Sequence, residues 1–332
     1  MAIAPAIKSI AKATLPRSTI EYLKRMRLLL RGEIWPAVPF DNLYPWLNYT
    51  FSELLKLTKG AYPQYAWGVT QGAALAKVLG LPRVSVIEFG VAGGSGLLAL
   101  ETISEAIERR TNIGIDVFGF DSGVGLPKPE DFRDQPNMWF EGQLPMDRAK
   151  LEPKLCRAKL CLGPVKETIP TFIAGNPAPV AFVSFDLDLY SSTRDALFIF
   201  KSNYVYLLPR VVSYFDDIFG HTYNDYCGER AAITEFNSSS GICKICPIYG
   251  LRYFIPRFAR SNLWPDGMYF AHFFEHPLYN TPDSFSKVVV IDVDGTWQWH
   301  PLDRRTDFSR QAESLAIVDP WRDDLLVPVG SK

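Results

Sequence analysis

The middle of the chain alternates short apolar runs with segments in which apolar residues recur at helical spacing. The apolar runs are Val84–Phe89, Val117–Asp121, Lys159–Leu162, Val180–Phe185 and Val211–Phe215. The helical segments are Leu97–Arg109, Thr168–Ala174 and Thr193–Lys201. Short buried strands that alternate with helices predict an α/β fold with a mostly parallel sheet and helices on both faces. Ligands of such sheets bind at the carboxyl ends of the strands.

The flanking segments predict further elements. A helical pattern follows Pro63 and ends before Gly80. Towards the C-terminus, Leu251–Ile255 and Met268–Phe274 predict an antiparallel hairpin that closes the sheet. A second hairpin is predicted from Val288–Val293 and Thr296–Trp299 around the turn Asp294-Gly295. We therefore divide the chain into an N-terminal arm and cap segment (1–62), a main domain (63–276) with an insertion at 122–158, and a C-terminal extension (277–332). Trp139 and Phe140 in the insertion predict either a lid or a plain surface loop.

Charge restricts the partners. Lys plus Arg is 35 and Asp plus Glu is 36, a net charge of −1, so we expect no nucleic acid partner. Residues 1–31 nevertheless carry seven basic side chains against Glu21 alone. This basic arm predicts a helix packed on the main domain or on a second subunit, or an amphipathic helix that lies on an anionic membrane. Packing on a second subunit predicts a homo-oligomer, and the amphipathic helix predicts a peripheral membrane contact.

The cysteines and the hydropathy indicate a compartment. Five cysteines are an odd number without the spacing of a disulfide framework, and Cys243 and Cys246 have no further ligands at zinc spacing. Lys8 and Lys12 interrupt the apolar start, and no run approaches the roughly 18 apolar residues of a membrane span. We expect a cytoplasmic protein.

A glycine-rich turn follows the first strand, in the segment Glu88-Phe-Gly-Val-Ala-Gly-Gly-Ser-Gly96. Glycines allow a sharp turn and a close approach of a ligand to the backbone. The spacing differs from GxGxxG, so a dinucleotide site is poorly matched, and an acid at the start suits a cationic or zwitterionic ligand. Asp121 ends the next strand, where an acid accepts hydrogen bonds from a ribose. The alternatives are a purely structural turn, and a cap by Asp121 of the turn at Gly123.

Asp186, Asp216 and Asp217 end two neighbouring predicted strands. Carboxylates held close together repel one another and retain protons unless a cation neutralises them. Oxygen ligands favour Mg²⁺ or Mn²⁺ over zinc. The sequence therefore predicts a divalent metal site, and the alternative is that such acids cap helices and turns.

Six motifs in this order resemble the class I S-adenosylmethionine-dependent methyltransferases, and more narrowly the macrocin O-methyltransferase family of sugar O-methyltransferases. They are Glu88-Phe-Gly-Val with Gly93-Gly94, Phe118–Pro127, Trp139 with Gly142, Leu162–Pro170, Phe185–Thr193, and Asp216-Asp217 followed by Gly228–Ala231. The resemblance implies a Rossmann-like class I methyltransferase fold with S-adenosylmethionine as cofactor. Glu88 and Gly90 would line the amino-acid end of the cofactor, Asp121 its ribose and the Gly163 region its adenine. Gly93 and Ser122 complete the expected cofactor-binding set, and Asp186, Asp216 and Asp217 would hold Mg²⁺ or Mn²⁺.

The expected reaction needs more than a histidine base. Complete deprotonation of an alcohol of pKa about 15.7 by a histidine of pKa about 6.5 would cost about 12 kcal/mol, whereas a coordinated hydroxyl is far more acidic. Metal-dependent catechol-type relatives carry a lysine where this chain has Leu189, which favours a sugar-like or aliphatic acceptor hydroxyl. Asp188 is the first candidate for the general base and His221 the second.

The expected function is metal-assisted O-methylation of a sugar or a glycosylated metabolite. The alternatives are a metal-independent methyltransferase, and a non-catalytic membrane-peripheral subunit that retains the fold. His272 and His276 form an HxxxH motif that is either structural or part of a substrate pocket.

Overall fold

The computed structural model describes residues 54–220, 223–239, 241, 243–255, 263–280, 287–291 and 297–301. The predicted basic arm at 1–31 and His221 lie outside these ranges. Within them, none of the helices combines the length and the apolar character needed to cross a bilayer.

The helices and strands follow the predicted alternation. The helices are α1 (Pro63–Val78), α2 (Ser95–Thr111), α3 (Arg148–Leu151), α4 (Val165–Ala174), α5 (Tyr190–Ala196), α6 (Gly228–Ser239) and α7 (Leu251–Phe254). The strands are β1 (Arg83–Phe89), β2 (Gly114–Asp121), β3 (Lys159–Leu162), β4 (Val180–Phe185), β5 (Leu207–Phe215), β6 (Cys243–Pro247), β7 (Met268–Phe273), β8 (Lys287–Ile291) and β9 (Trp297–Pro301). A 3₁₀ segment, Leu197–Lys201, follows α5, so the predicted helix at Thr193–Lys201 begins three residues earlier and changes its winding.

One seven-stranded sheet has the order β3-β2-β1-β4-β5-β7-β6. Strands β1 to β5 pair in parallel, β7 pairs antiparallel with β5, and β6 pairs antiparallel with β7. The predicted Rossmann-like sheet with antiparallel C-terminal strands is confirmed. The predicted strand at Leu251–Ile255 is wrong: its first four residues form α7, and β6 takes the place beside β7. Short apolar runs do not distinguish a helix from a strand, which is why the pattern misled.

The core lies along the central strands. Every residue of β4 is buried, as are six of the seven residues of β1, because parallel strands covered on both faces have no wet side. Phe185 stacks between Phe89 and Phe215, with ring centroids 5.5 and 4.6 Å away. The buried aromatic rings hold the ends of β1, β4 and β5 together, which positions the residues that follow these strands.

Two glycines bring α1 close to β4. A Cβ on Gly68 would lie 2.3 Å from a ring carbon of Phe182, and a Cβ on Gly72 would lie 2.8 Å from Cβ of Ala181. Any larger side chain at either position would push the helix away from the sheet. The glycines therefore set the depth at which side chains of α1 reach the core.

Strands β8 and β9 pair with each other antiparallel and belong to a second compact unit. The predicted second hairpin is thus confirmed, while its turn at Asp294-Gly295 lies outside the described residues. In the seven-stranded sheet, Cys243 and Cys246 stand three positions apart on β6. Side chains alternate between the two faces of a strand, so these two thiols point to opposite faces and do not share a metal site.

Candidate functional site

Backbone hydrogen bonds place the predicted residues on one rim of the sheet. The N–H of Asp186 donates to the carbonyl of Phe89 at the end of β1 (3.0 Å), and the N–H of Asp216 donates to that of Phe185 at the end of β4 (3.0 Å). The N–H of Gly90 donates to the end of β2 at 2.9 Å. Consecutive strand ends therefore converge where the strand order reverses between β1 and β4, the point at which open α/β sheets bind ligands.

The glycine turn is crowded at Gly90, Gly94 and Gly96 and open at Gly93. Gly90 has φ +86°, and a Cβ there would lie 1.7 Å from the carbonyl oxygen of Asp186. A Cβ on Gly96 would lie 2.0 Å from Oε1 of Glu88. In contrast, a Cβ on Gly93 would meet none of the described atoms within 4 Å. Gly90 and Gly96 are thus required by packing, whereas Gly93 faces free space that a ligand can enter.

Glu88 lies behind this turn, with only 2% of its surface exposed. Its Oε1 accepts a 2.6 Å hydrogen bond from the hydroxyl of Tyr65, and its buried Oε2 has no hydrogen-bond partner among the described residues. Burial, together with the charge of Asp121, raises the pKa of Glu88 to about 8, against the opposing effect of the Tyr65 hydroxyl. The orphaned buried oxygen fits a cationic group brought by a ligand.

Asp121 supports the turn directly. Its Oδ2 accepts the N–H groups of Val91 and Ala92, both at 2.9 Å, and its Oδ1 accepts the N–H of Gly123 at 2.6 Å. The capping alternative is therefore observed, because Asp121 caps the turn at Gly123, and the same carboxylate also holds the glycine turn. The ribose contact expected of Asp121 stays a prediction.

A cavity of about 850 Å³ opens along this rim. Its walls include Gly90, Asp121, Ser122 and Gly163 from the predicted cofactor set, and also Asp186 and Asp188. Glu88 and Gly93 are not among the described residues that form its walls. This volume lies in the range of pockets for small molecules and cofactors.

Asp186, Asp216 and Asp217 meet as predicted. One carboxylate oxygen from each lies within 4.8 Å of the other two. The hydroxyl of Tyr214 donates to Oδ1 of Asp216 at 2.6 Å. Burial and the repulsion of Asp217 and Asp216 raise the pKa of Asp186 to about 9. Three oxygen donors with strong mutual repulsion fit a hard divalent cation such as Mg²⁺ or Mn²⁺.

Asp217 is held from three sides. Its N–H donates to Oε2 of Glu229 (3.0 Å), its Oδ2 accepts the N–H of Asp188 (2.8 Å), and its Oδ1 accepts the hydroxyl of Tyr223 (3.3 Å). Burial and the charge of Asp216 raise its pKa to about 6. Of the predicted trio, Asp217 is therefore the most constrained by protein contacts.

Asp188 combines strain, burial and a wall position in the cavity. Its backbone is left-handed (φ +59°), which is unusual for a residue other than glycine and is found at functional sites. Only 7% of its surface is exposed, and burial with repulsion from Asp217 and Asp216 raises its pKa to about 7. A carboxylate with that pKa is suited to accept a proton near neutral pH.

Of the three histidines considered, the structure describes His272 and His276 but not His221. His221, the second candidate base, lies outside the described residues, so its role stays a prediction. His272 pairs in register with Arg210, near the middle of β5, and His276 contacts the carbonyl of Leu207 at the start of that strand (3.1 Å). Since Asp216 and Asp217 follow the other end of β5, the HxxxH motif lies away from the acids.

The insertion at 122–158 is anchored by two buried acids. Asp134 is fully buried and accepts hydrogen bonds from the N–H (2.7 Å) and the hydroxyl (2.9 Å) of Ser191 and from the N–H of Glu130 (2.7 Å). Glu101 on α2 accepts the backbone N–H groups of residues 156–158. Phe140 keeps 63% of its surface exposed. The insertion is therefore a packed wall of the cavity, and its closure as a lid stays a prediction.

Three of these residues were missed by sequence reasoning: Tyr65, Asp134 and Glu229. Glu229 is fully buried, burial raises its pKa well above the usual range, and its Oε1 has no partner among the described residues. Only the motif Gly228–Ala231 pointed to its neighbourhood. Tyr65 and Asp134 carry no local signal, because their roles depend on residues 23 and 57 positions away.

Comparisons with known proteins add a structural similarity. No protein-family profile matches the chain, and no curated protein matches its sequence. Among solved structures, it is similar to the calicheamicin methyltransferase CalS11, with 20% identity, a TM-score of 0.45 and coverage of 74% of this chain and 97% of that one. The O-methyltransferase NovP shares 18% identity and a TM-score of 0.43, and the match covers 62% of this chain and 78% of that one.

A third similar structure is the MycE methyltransferase from the mycinamycin biosynthetic pathway, in complex with Mg and SAH. It shares 12% identity and a TM-score of 0.35, and the match covers 70% of this chain and 56% of that one. All three proteins are described as methyltransferases. Similarities of this size assign neither a reaction nor a substrate to this chain.

Proposed function

We propose that this protein is an S-adenosylmethionine-dependent O-methyltransferase of the macrocin O-methyltransferase kind, assisted by Mg²⁺ or Mn²⁺. Its acceptor is a hydroxyl of a sugar or of a glycosylated metabolite. One observation carries the proposal: a single cavity has both the glycine turn and the acids Asp186 and Asp188 in its walls. A methyl donor and an acceptor hydroxyl must meet within one such space, because in-line transfer requires close alignment of the reacting atoms.

Residues on the rim would have two separate roles: one group would bind the methyl donor and the other would bind the cation. When bound, S-adenosylmethionine supplies a methyl group on a sulfonium, and a divalent cation lowers the pKa of a coordinated hydroxyl. Glu88, Gly90 and Asp121 would hold the donor at the glycine turn. Asp186 and its two partner aspartates would hold the cation, since their carboxylates already converge.

Asp188 would remove the proton of the acceptor. It lines the cavity next to Asp186. Burial is the larger cause of its raised pKa and persists when a cation neutralises Asp216 and Asp217, so this carboxylate retains the affinity for a proton that a general base needs. The proton passes from the acceptor hydroxyl to the carboxylate of Asp188 and then to water at the mouth of the cavity. The packed insertion excludes bulk water from one side of this step.

Calorimetry with the full-length protein tests the donor. We expect S-adenosylmethionine and S-adenosylhomocysteine to bind at micromolar concentrations, and no binding at about 1 mM of either ligand would contradict the proposal. Manganese titration followed by electron paramagnetic resonance tests the metal, with Asp186→Asn as the variant that weakens binding. Turnover that is unaffected by a chelator and by Asp216→Asn would instead indicate a metal-independent methyltransferase.

A panel of nucleotide sugars, glycosylated small molecules and catechols, assayed with a labelled methyl donor, tests the acceptor class. Label on the sugars supports the proposal, and label on catechols alone contradicts it. Vesicle co-sedimentation that is lost on deletion of residues 1–31, without any methyl transfer, would favour a membrane-peripheral subunit. Cytoplasmic location, homo-oligomerisation and membrane contact through the basic arm stay proposals.

A further inference from the structure

Tyr65 is fixed at the back of the glycine turn, although it precedes the first strand. Gly68 and Gly72 let α1 lie close against β4, and Tyr65 stands one helical turn before Gly68. Only 2% of its surface is exposed, and its ring packs edge-on against Phe182 with the centroids 5.7 Å apart. A buried ring with these neighbours keeps one orientation, so its hydroxyl has a defined target.

That target is the carboxylate of Glu88. The hydroxyl donates to Oε1 of Glu88 at 2.6 Å, and a Cβ on Gly96 would lie 2.0 Å from this oxygen and 3.1 Å from the hydroxyl. The pair therefore fills the space beneath the first turn of α2. Any side chain at position 96 would displace it.

The second carboxylate oxygen is left without a partner. Oε2 of Glu88 is buried and accepts no hydrogen bond from the described residues. Burying an acceptor without a partner costs free energy, and such costs are retained where a ligand supplies the missing group. An ammonium group is the matching chemistry for a carboxylate oxygen, and charge-assisted hydrogen bonds of this kind are stronger than neutral ones.

We propose that Tyr65 is a positioning residue for the amino-acid end of the methyl donor. Its hydroxyl holds the carboxylate of Glu88 beneath the glycine turn and leaves Oε2 available to the ammonium group of the ligand. This inference rests on the proposed function, because it assumes a ligand with an α-amino group at the turn. The Tyr65 hydrogen bond also opposes the rise in the pKa of Glu88 and so favours the ionised carboxylate that attracts a cation.

Two nucleosides separate this role from a general effect on the site. S-adenosylhomocysteine and 5′-methylthioadenosine share the adenosine and the thioether, and only the former carries the amino-acid end. We expect Tyr65→Phe to weaken binding of S-adenosylhomocysteine about tenfold in calorimetry and to leave that of 5′-methylthioadenosine within about twofold.

Tyr62→Phe is the matched control. Its hydroxyl contacts Oγ of Ser95 at 2.6 Å and takes no part in the contact with Glu88. We expect this variant to keep both dissociation constants within about twofold. Glu88→Gln should reproduce the selective loss, and the Tyr65→Phe, Glu88→Gln double variant should lose no more than the Glu88 variant, because the hydroxyl acts through that carboxylate.

The outcomes distinguish a failure of the positioning role of Tyr65 from a failure of the proposed function. If Tyr65→Phe weakens the binding of both nucleosides equally, or leaves the binding of S-adenosylhomocysteine unchanged, the positioning role is wrong while the proposed function stands. If the wild-type protein binds neither nucleoside, the proposed function fails and this inference fails with it. Circular dichroism and thermal unfolding of each variant establish that a selective loss belongs to a folded protein.

Discussion

Replacement of Asp186 by Asn in the cation-free protein tests the electrostatics of the acid cluster. In the folded protein this carboxyl is partly buried beside Asp216 and Asp217, whose charges repel its ionised form. In the unfolded chain it is surrounded by water and ionises at its ordinary pKa of about 4. Asparagine keeps the shape of the side chain and removes the titration. The variant and the wild type should therefore differ in how their stability depends on pH.

The sign and the size follow from the raised pKa. Asp186 has a pKa of about 9 in the folded state, against 3.8 for its ordinary value. Between these values the folded protein holds a proton that the unfolded chain has released, so stability falls as pH rises. Each pH unit corresponds to about 1.4 kcal/mol, which from pH 5.5 to 8.5 sets an upper limit of about 4 kcal/mol. Solvent screening and titration shared with Asp188 and Asp217 reduce this to about 2 kcal/mol.

Urea unfolding in the presence of EDTA at about pH 5.5, 7.0 and 8.5 measures the effect. The free energy of unfolding of Asp186→Asn should exceed that of the wild type by an amount that grows by about 2 kcal/mol across this range. Glu105→Gln removes a charge from an exposed pair with Arg109 and should give a pH-independent difference. In the same buffer without EDTA, Mn²⁺ at pH 8.5 should stabilise the wild type and not Asp186→Asn. Parallel pH profiles for the wild type and Asp186→Asn would refute the reasoning.

Four further predictions concern single positions. Asp188→Asn should lower turnover about 100-fold or more and leave the dissociation constant of S-adenosylhomocysteine within about twofold, because a general base acts on the chemical step; an equal loss of binding would contradict this. Gly90→Ala should destabilise the protein by about 2–4 kcal/mol in urea unfolding, because its Cβ would overlap a backbone carbonyl at positive φ. Gly93→Ala should stay within about 1 kcal/mol of the wild type and weaken binding of S-adenosylhomocysteine, and unchanged binding would place the ligand elsewhere. Asp134→Ala should cost about 1–3 kcal/mol and speed proteolysis within 122–158, and an unchanged cleavage rate would show that the insertion is held by other contacts.

The central sheet was readable from the sequence. The predicted strands at Lys159–Leu162 and Val180–Phe185 coincide with β3 and β4. Every residue of β4 is buried, and strands buried on both faces are continuous apolar runs. The edge strand β6 was missed, because only Ile245 of its five residues is buried and its pattern is weak. Leu251–Ile255 has the composition of a strand, yet it forms a short helix.

The convergence of the acids was also readable, because the carboxyl ends of parallel strands lie on one rim. What surrounds them was not. Tyr65 and Glu229 are ordinary residues on helices, and nothing in the local pattern marks them as partners of Glu88 and Asp217. Their contacts depend on how closely α1 and α6 approach the sheet, which small residues such as Gly68 set at a distance along the chain.

The sequence by itself determined the alternation of strands and helices, the glycine turn after β1 and the acids after β4 and β5, because these follow from local hydrophobic periodicity and from positions at strand ends. Only the tertiary structure decided which carboxylates are buried, which of their oxygens lack partners and which pKa values rise. These properties depend on the loss of water around a group and on charges from distant segments, and both arise only when the helices pack against the sheet.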